Sequence, residues 1–151
     1  MGSSAMAVLA LDYGTKRIGV ALSDATLTLA RPLPFLDAAS PAKIAPLLQA
    51  LAAREQVDRV VVGLPRNLDG SYGPAAEAVR AFVAALEKLL PLPIETLDER
   101  LSTVQASRQL REAGHDSRDQ RSRIDSAAAA VILQAYLDRR AIREGHDPLG
   151  L

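Results

Sequence analysis

Ala7-Val8-Leu9-Ala10-Leu11-Asp12-Tyr13-Gly14-Thr15-Lys16-Arg17-Ile18-Gly19-Val20-Ala21-Leu22-Ser23 is the stretch that decides the fold. Ala7–Leu11 is an unbroken apolar run that ends in a carboxylate. Tyr13–Arg17 turns the chain, and Ile18–Ser23 runs apolar again. Short apolar runs bounded by turn chemistry read as buried strands, and a short glycine-containing link between two of them reads as a hairpin. An acid at the mouth of a buried strand is costly unless something compensates it. A metal ion, or magnesium carried on phosphate, is the usual compensation. The plainer alternative makes Asp12 an Asx-turn residue that closes the hairpin beside Gly14.

Outward from the hairpin, Thr28–Leu36 reads as a third strand, confined to a sheet edge by Pro32 and Pro34. Ser40 then caps a helix that Pro41 opens and that runs to about Arg54, with Pro46 either kinking it or marking its true start. Val57–Leu64 is rich in β-branched residues and reads as a fourth, buried strand. The segment from Pro65 to Gly73 is dense in turn residues. Pro74 opens a second helix, whose Val79, Phe82, Val83 and Leu86 repeat at helical spacing. Pro91 and Pro93 bracket the start of a fifth strand, Leu92–Leu97, which ends in Asp98-Glu99-Arg100. Ser102 or Thr103 caps a further helix stopping near Gly114, His115–Ser122 reads as a loop, and a last helix runs from about Asp125 to Arg143. Three antiparallel strands followed by two parallel crossovers predict an α/β domain with a mixed five-stranded sheet flanked by helices. That order resembles the ribonuclease-H-like fold.

The chain has 151 residues, enough for one domain with a full core, and its 48% apolar and 24% charged residues are ordinary for a globular protein. It contains no cysteine, which excludes disulfides, thiolate zinc sites and cysteine nucleophiles. The longest apolar runs are too short for a membrane span, and the first residues lack the basic and apolar regions of a signal peptide. Cytoplasmic localisation is the expectation, with no membrane partner. Residues 1–5 read as a vector-derived remnant before Met6. Net charge is zero, yet between Arg100 and Arg143 nine arginines face five acids, a local balance of +4. Basic charge concentrated in one segment suits a phosphate backbone, although a solvated helical face would show the same count.

Sites in open α/β sheets form at the carboxyl ends of parallel strands. Asp12 ends the first strand, Asp98-Glu99 end the fifth, and Asp125 opens the last helix, where four alanines allow close approach to the sheet. Acids gathered at one edge repel each other and would take up protons unless a divalent cation neutralised them. Magnesium suits such a site, since it binds through one or two carboxylates with water and phosphate oxygens. Taken singly, Asp98 reads equally as a partner of Arg100, Glu99 as a solvated loop residue and Asp125 as a helix N-cap.

Leu9–Ala21 resembles the opening motif of the YqgF/RuvX family, and Val62-Gly63-Leu64-Pro65-Arg66-Asn67-Leu68-Asp69-Gly70-Ser71 resembles its second. Asp98-Glu99-Arg100-Leu101-Ser102-Thr103 and Arg123-Ile124-Asp125-Ser126-Ala127-Ala128-Ala129 are similar to the third and fourth. The match spans residues 8 to about 138. The resemblance implies a ribonuclease-H-like nuclease domain over residues 6–143, followed by a tail over 144–151. It also implies relation to Holliday-junction resolvases and a role in maturing the 5′ end of pre-16S ribosomal RNA. The family's acidic positions fall on Asp12, Glu99 and Asp125, as catalytic residues and ligands for Mg²⁺ or Mn²⁺. Lys16, Arg17, Arg100 and the loop residues Arg118, Arg121 and Arg123 are the candidate nucleic-acid contacts. Asp98, Asn67, Tyr13 and Tyr72 are secondary candidates; the two tyrosines either stack bases or pack within their loops. RNA is the expected partner and DNA the alternative.

Three other readings compete. A nuclease of junctions or single-stranded DNA would act in recombination or repair, and cutting junctions would call for a homodimer. A non-catalytic RNA-binding factor on the same fold gains nothing from acids that face a polyanion. A phosphotransferase of the actin and sugar-kinase group shares the Asp12-Tyr13-Gly14-Thr15 pattern, but it needs two such domains around ATP. His115 and His146, the only histidines, sit in polar contexts without a catalytic signature, and Asp69 reads as a turn residue.

Overall fold

The computed structural model describes residues 7–104 and 118–143, and the side chains of residues 118–126 fall outside that description. Strands β1 (Ala7–Tyr13), β2 (Arg17–Ser23) and β3 (Ala30–Asp37) meander antiparallel. Helix α1 (Pro41–Glu55) leads to β4 (Val57–Leu64), and α2 (Pro74–Glu87) leads to β5 (Ile94–Asp98). A single 3₁₀ turn follows at Glu99–Leu101, and α3 spans Arg118–Arg143. The sheet order is β3-β2-β1-β4-β5, with β4 parallel to both β1 and β5. This is the ribonuclease-H-like arrangement, with the proline-bearing β3 at one edge. The helix expected from Ser102 to Gly114 lies outside the described residues beyond Val104, whose N–H donates to Ser102 Oγ at 3.3 Å as in an N-cap.

Strand alternation divides the core into two layers. Leu9 and Leu11 of β1, Val60 and Val62 of β4, and Ile18 and Val20 of β2 pack under α1 and α2, against Ile44, Leu48, Val79, Phe82 and Leu86. Val8, Ala10, Ala21, Val61 and Leu97 face the other way, against Ala128, Ala129, Ile132, Leu133 and Leu137 of α3. Helix α1 continues through Pro46 without a break. Pro46 lies on the exposed face, so the Ala42 carbonyl that loses its helical partner can bind water instead.

The start of the last helix differs from the sequence reading. It begins at Arg118, so Arg118, Arg121 and Arg123 belong to its first turns rather than to a loop, and Asp125 stands inside the helix rather than at its N-cap. A helix of 26 residues is about 39 Å long, against about 26 Å for the longest strands of the sheet. The sequence of its first turns has no apolar period, although Arg and Gln are good helix formers.

The β2–β3 connection is organised by Asp24. Its carboxylate accepts bonds from Thr26 Oγ1 (2.7 Å), Thr28 N (2.9 Å), Thr28 Oγ1 (3.0 Å) and Leu29 N (3.1 Å). Burial alone would raise its pKa, but these donors together bring it down to about 2. A carboxylate depressed on folding stabilises above its unfolded value and loses that contribution as pH falls through the folded one. Wild-type protein should therefore lose stability between about pH 4 and pH 2 through this group. Asp24→Asn should be less stable at neutral pH and show a shallower decline across that window. Urea midpoints measured at pH 7, 4 and 2.5 would check this, and parallel profiles would refute it.

Candidate active site

Asp12 is the last residue of β1 before Tyr13, and it follows Val8 and Ala10 on the face covered by α3. It is 5% exposed. Across the hairpin it is level with Gly19 of β2. The β1–β4 pairing ends at Leu11–Val62, so the next step places Asp12 level with Gly63 of β4. Asp12 is thus flanked on both sides by residues without side chains. Glu99 reaches the same place from β5: Leu97 lies on the α3 face, and Glu99 follows two residues later at 1% exposure. A Cβ built on Gly63 would lie 2.9 Å from Glu99 Oε2 and 2.5 Å from Ile132 Cδ1. The bare backbone of Gly63 is the cradle in which the Glu99 carboxylate sits, under α3 and beside Asp12.

The neighbouring acid behaves differently. Asp98 accepts bonds from Arg100 N (2.9 Å), Arg100 Nη2 (2.8 Å) and Arg66 Nη1 (3.2 Å). The Arg100 side chain, ahead of every other influence, holds the Asp98 carboxyl below the usual carboxylate range. Arg66 also donates to the Gly70 carbonyl and stacks 4.6 Å from the Tyr72 ring centroid, where Arg80 stacks at 4.8 Å. Asn67 closes the same loop, its N–H donating to Ser71 O at 2.9 Å and its side chain donating to Ser71 Oγ at 2.9 Å. Asp69 accepts from Ser71 N and Oγ, and the hydroxyl bond lowers its pKa. Asp98, Asn67 and Asp69 thus build the rim, with Tyr72 stacked on two guanidinium groups.

Tyr13 lies on the opposite face, its ring stacked on Phe82 at 4.4 Å, and Arg17 lies over Phe35 at 5.0 Å. Lys16 is exposed in the hairpin turn at the same edge as Asp12. Helical periodicity puts position 125 on the stripe of Ala128, Ala129 and Ile132, which rests on the sheet. The helix runs antiparallel to β4, because Tyr136 bonds Arg59 near the start of that strand while Ile132 lies over Gly63 near its end. Position 125 therefore lies toward the edge where Asp12 and Glu99 stand. Among the described residues there is no group of three or more acids and histidines able to hold a metal, and the Asp125 side chain is outside that set.

The sequence reading did not single out Gly63, Gly19, Arg66 or Arg80. A glycine inside a β-branched run, as in Val60-Val61-Val62-Gly63-Leu64, signals close approach of another group and was the available clue.

A family model described as "RuvX: Holliday junction resolvase" matches residues 6–139. The chain belongs to the RuvX family. Its relatives include proteins named "Putative pre-16S rRNA nuclease". That of Chelativorans sp. is 50% identical, covering 93% of this chain and 87% of the relative. That of Moorella thermoacetica is 48% identical, covering 89% and 96%. That of Anaeromyxobacter dehalogenans is 44% identical, covering 90% and 99%. Among solved structures, T. thermophilus RuvC in complex with Holliday junction substrate overlays with a TM-score of 0.49 at 17% identity, covering 89% of this RuvX chain and 95% of that one. Among the described residues, no helix is long and apolar enough to cross a membrane.

Proposed function

We propose that this chain is a divalent-metal-dependent nuclease that hydrolyses phosphodiester bonds in 5′-end maturation of pre-16S ribosomal RNA, acting in the cytoplasm. The observation that carries the reading is the pair Asp12 and Glu99, both almost fully buried at the carboxyl ends of β1 and β5, with the bare backbone of Gly63 making room for the Glu99 carboxylate. Two acids gathered at one place repel each other, and a divalent cation is suited to neutralise them. The donor set fits Mg²⁺ or Mn²⁺: carboxylate oxygens only, at the carboxyl ends of the strands. Asp12, Glu99 and, from α3, Asp125 would hold it. A bound divalent cation supplies activation of water and neutralisation of charge on the phosphate and leaving oxygen.

The chain's own residues account for the rest. Asp12 and Glu99 would hold the cation against which the scissile phosphate is placed at the edge. Arg100, Lys16 and Arg17 lie along that edge, and Arg118, Arg121 and Arg123 fall in the first turns of α3 beside Asp125. Arginines there bind backbone phosphates in forked geometry and draw a polyanion toward two acids that would otherwise repel it. Asp98 is committed to Arg66 and Arg100 and serves to fix them.

The test is to incubate the pure protein with labelled pre-16S 5′ ends, single-stranded DNA and four-way junctions in Mg²⁺, Mn²⁺, Ca²⁺ or EDTA. Cleavage of the pre-16S end in Mg²⁺ or Mn²⁺, little in Ca²⁺ and none in EDTA is expected. Full activity in EDTA would remove the metal. Cutting confined to junctions would move the function to recombination and call for a homodimer, and binding without cleavage under every condition would leave an RNA-binding factor.

A further inference from the structure

Helix α3 is held to the sheet by two kinds of contact. Ala128, Ala129, Ile132, Leu133 and Leu137 make an apolar seat, small-sided toward the active-site end. Dispersion and burial hold such a seat together, but they are not directional, so the seat resists separation better than sliding or rotation. The directional contacts are two clamps on opposite flanks. On one flank the Gln134 side-chain amide accepts from Ala30 N (3.0 Å) and donates to Thr28 O (2.8 Å), gripping both backbone groups around Leu29 as a neighbouring strand would. On the other flank the Tyr136 hydroxyl accepts from Arg59 Nη1 (3.0 Å) and donates to Glu95 Oε2 (2.9 Å), closing a triangle with the Arg59–Glu95 ion pair (3.0 Å).

We infer that Gln134 and Tyr136 are positioning residues that set the rotation and axial register of α3, and through them the place of Asp125 at the metal-binding edge. The inference rests on the nuclease reading above. One clamp holds β3 at the beginning of its run, and the other holds the starting ends of β4 and β5, so the helix is pinned across the width of the sheet. Position 125 stands nine and eleven residues upstream, about 14–17 Å along the axis. A carboxylate rides roughly 5–6 Å from a helix axis, so a rotation of about 20° displaces it by about 2 Å. A misplacement of about 1 Å in a catalytic group can cost on the order of a hundredfold in rate. The Arg59–Glu95 ion pair is partly exposed, at 35% and 40%, and adds little to stability by itself, whereas Tyr136 is buried at 4% exposure.

The test combines Gln134→Met and Tyr136→Phe, which keep volume and remove the directional bonds, with Ile44→Val as a mild destabiliser in the opposite core layer. The chain has no cysteine, so Ala50→Cys on α1 and Ala127→Cys on α3, both exposed, give a clean spin-labelled pair. In the double clamp variant the distance distribution should broaden or shift by about 2 Å. Mn²⁺ affinity should fall severalfold, and cleavage should fall about 10–100-fold with partial recovery at high Mn²⁺. Ile44→Val should change none of these. An unmoved distance distribution would overturn the inference whatever the activity, and so would a shifted one with Mn²⁺ affinity and rate within twofold of wild type. If the wild-type protein neither binds Mn²⁺ nor cleaves, the nuclease reading fails, and the label distances still decide whether the clamps set the register of α3.

Discussion

Asp12→Asn should reduce cleavage by at least a hundredfold, about 2.7 kcal/mol of transition-state stabilisation, while leaving the melting transition within a few degrees of wild type. The amide matches the carboxylate in shape, so the sheet edge between Gly19 and Gly63 is not repacked. What it loses is the negative charge on which a hard cation depends. Relief of repulsion toward Glu99 favours the apo protein, so a slightly raised Tm is consistent with the site and a large fall is not. Single-turnover rates in saturating Mg²⁺, with calorimetry on the same preparations, check both halves. Retention of more than about a tenth of the wild-type rate, a loss under 1.4 kcal/mol, would remove Asp12 from the centre of the site.

Gly63→Ala should be damaging twice over, and the two injuries can be separated. The added methyl would meet Ile132 Cδ1 at 2.5 Å and Glu99 Oε2 at 2.9 Å. Overpacking a tight core costs roughly 1–3 kcal/mol, a fall of about 2–12 °C in Tm for a domain of this size. Displacing the Glu99 carboxylate should lower the rate by more than tenfold in addition. Ile132→Val deletes the colliding methyl, so Gly63→Ala/Ile132→Val should regain most of the stability. It should not regain the rate, because the carboxylate contact remains. A double variant that recovers both would mean that Glu99 responds only to the packing of α3. A single variant with unchanged activity would mean that the cradle is not used.

How far the sequence could be read follows from which signals are local. Val57–Leu64 and the Pro74 helix start were legible because β-branched residues, proline and apolar spacing act within a few residues. The hairpin and the edge position of β3 followed from turn and proline chemistry in the same way. The start of α3 was not legible, because Arg118–Ser122 has helix-forming residues but no apolar stripe to announce it. Choosing between Asp98 and Glu99 was beyond residue spacing, since they are adjacent and only the end of β5 with the 3₁₀ turn after it sends them to different sides. The role of Gly63 depends on a side chain 36 residues away in sequence, so no local pattern contains it.

Asp98 and Glu99 are adjacent, yet one is spent on arginines and the other is buried beside Asp12. Strand alternation, carried from β5 through Asp98 into the first residue of the 3₁₀ turn, separates them, and that makes the site sensitive to chain length in a specific way. A residue gained or lost between Ile94 and Glu99 would exchange the two acids, carrying the arginine-bound one inward and the buried one to the rim. The same holds for Ala7–Asp12. Length changes in the connections at 65–73 and 88–93 leave parity untouched. Natural and designed variants of this chain should therefore accumulate insertions in those two connections and none within the two short strands that deliver the acids.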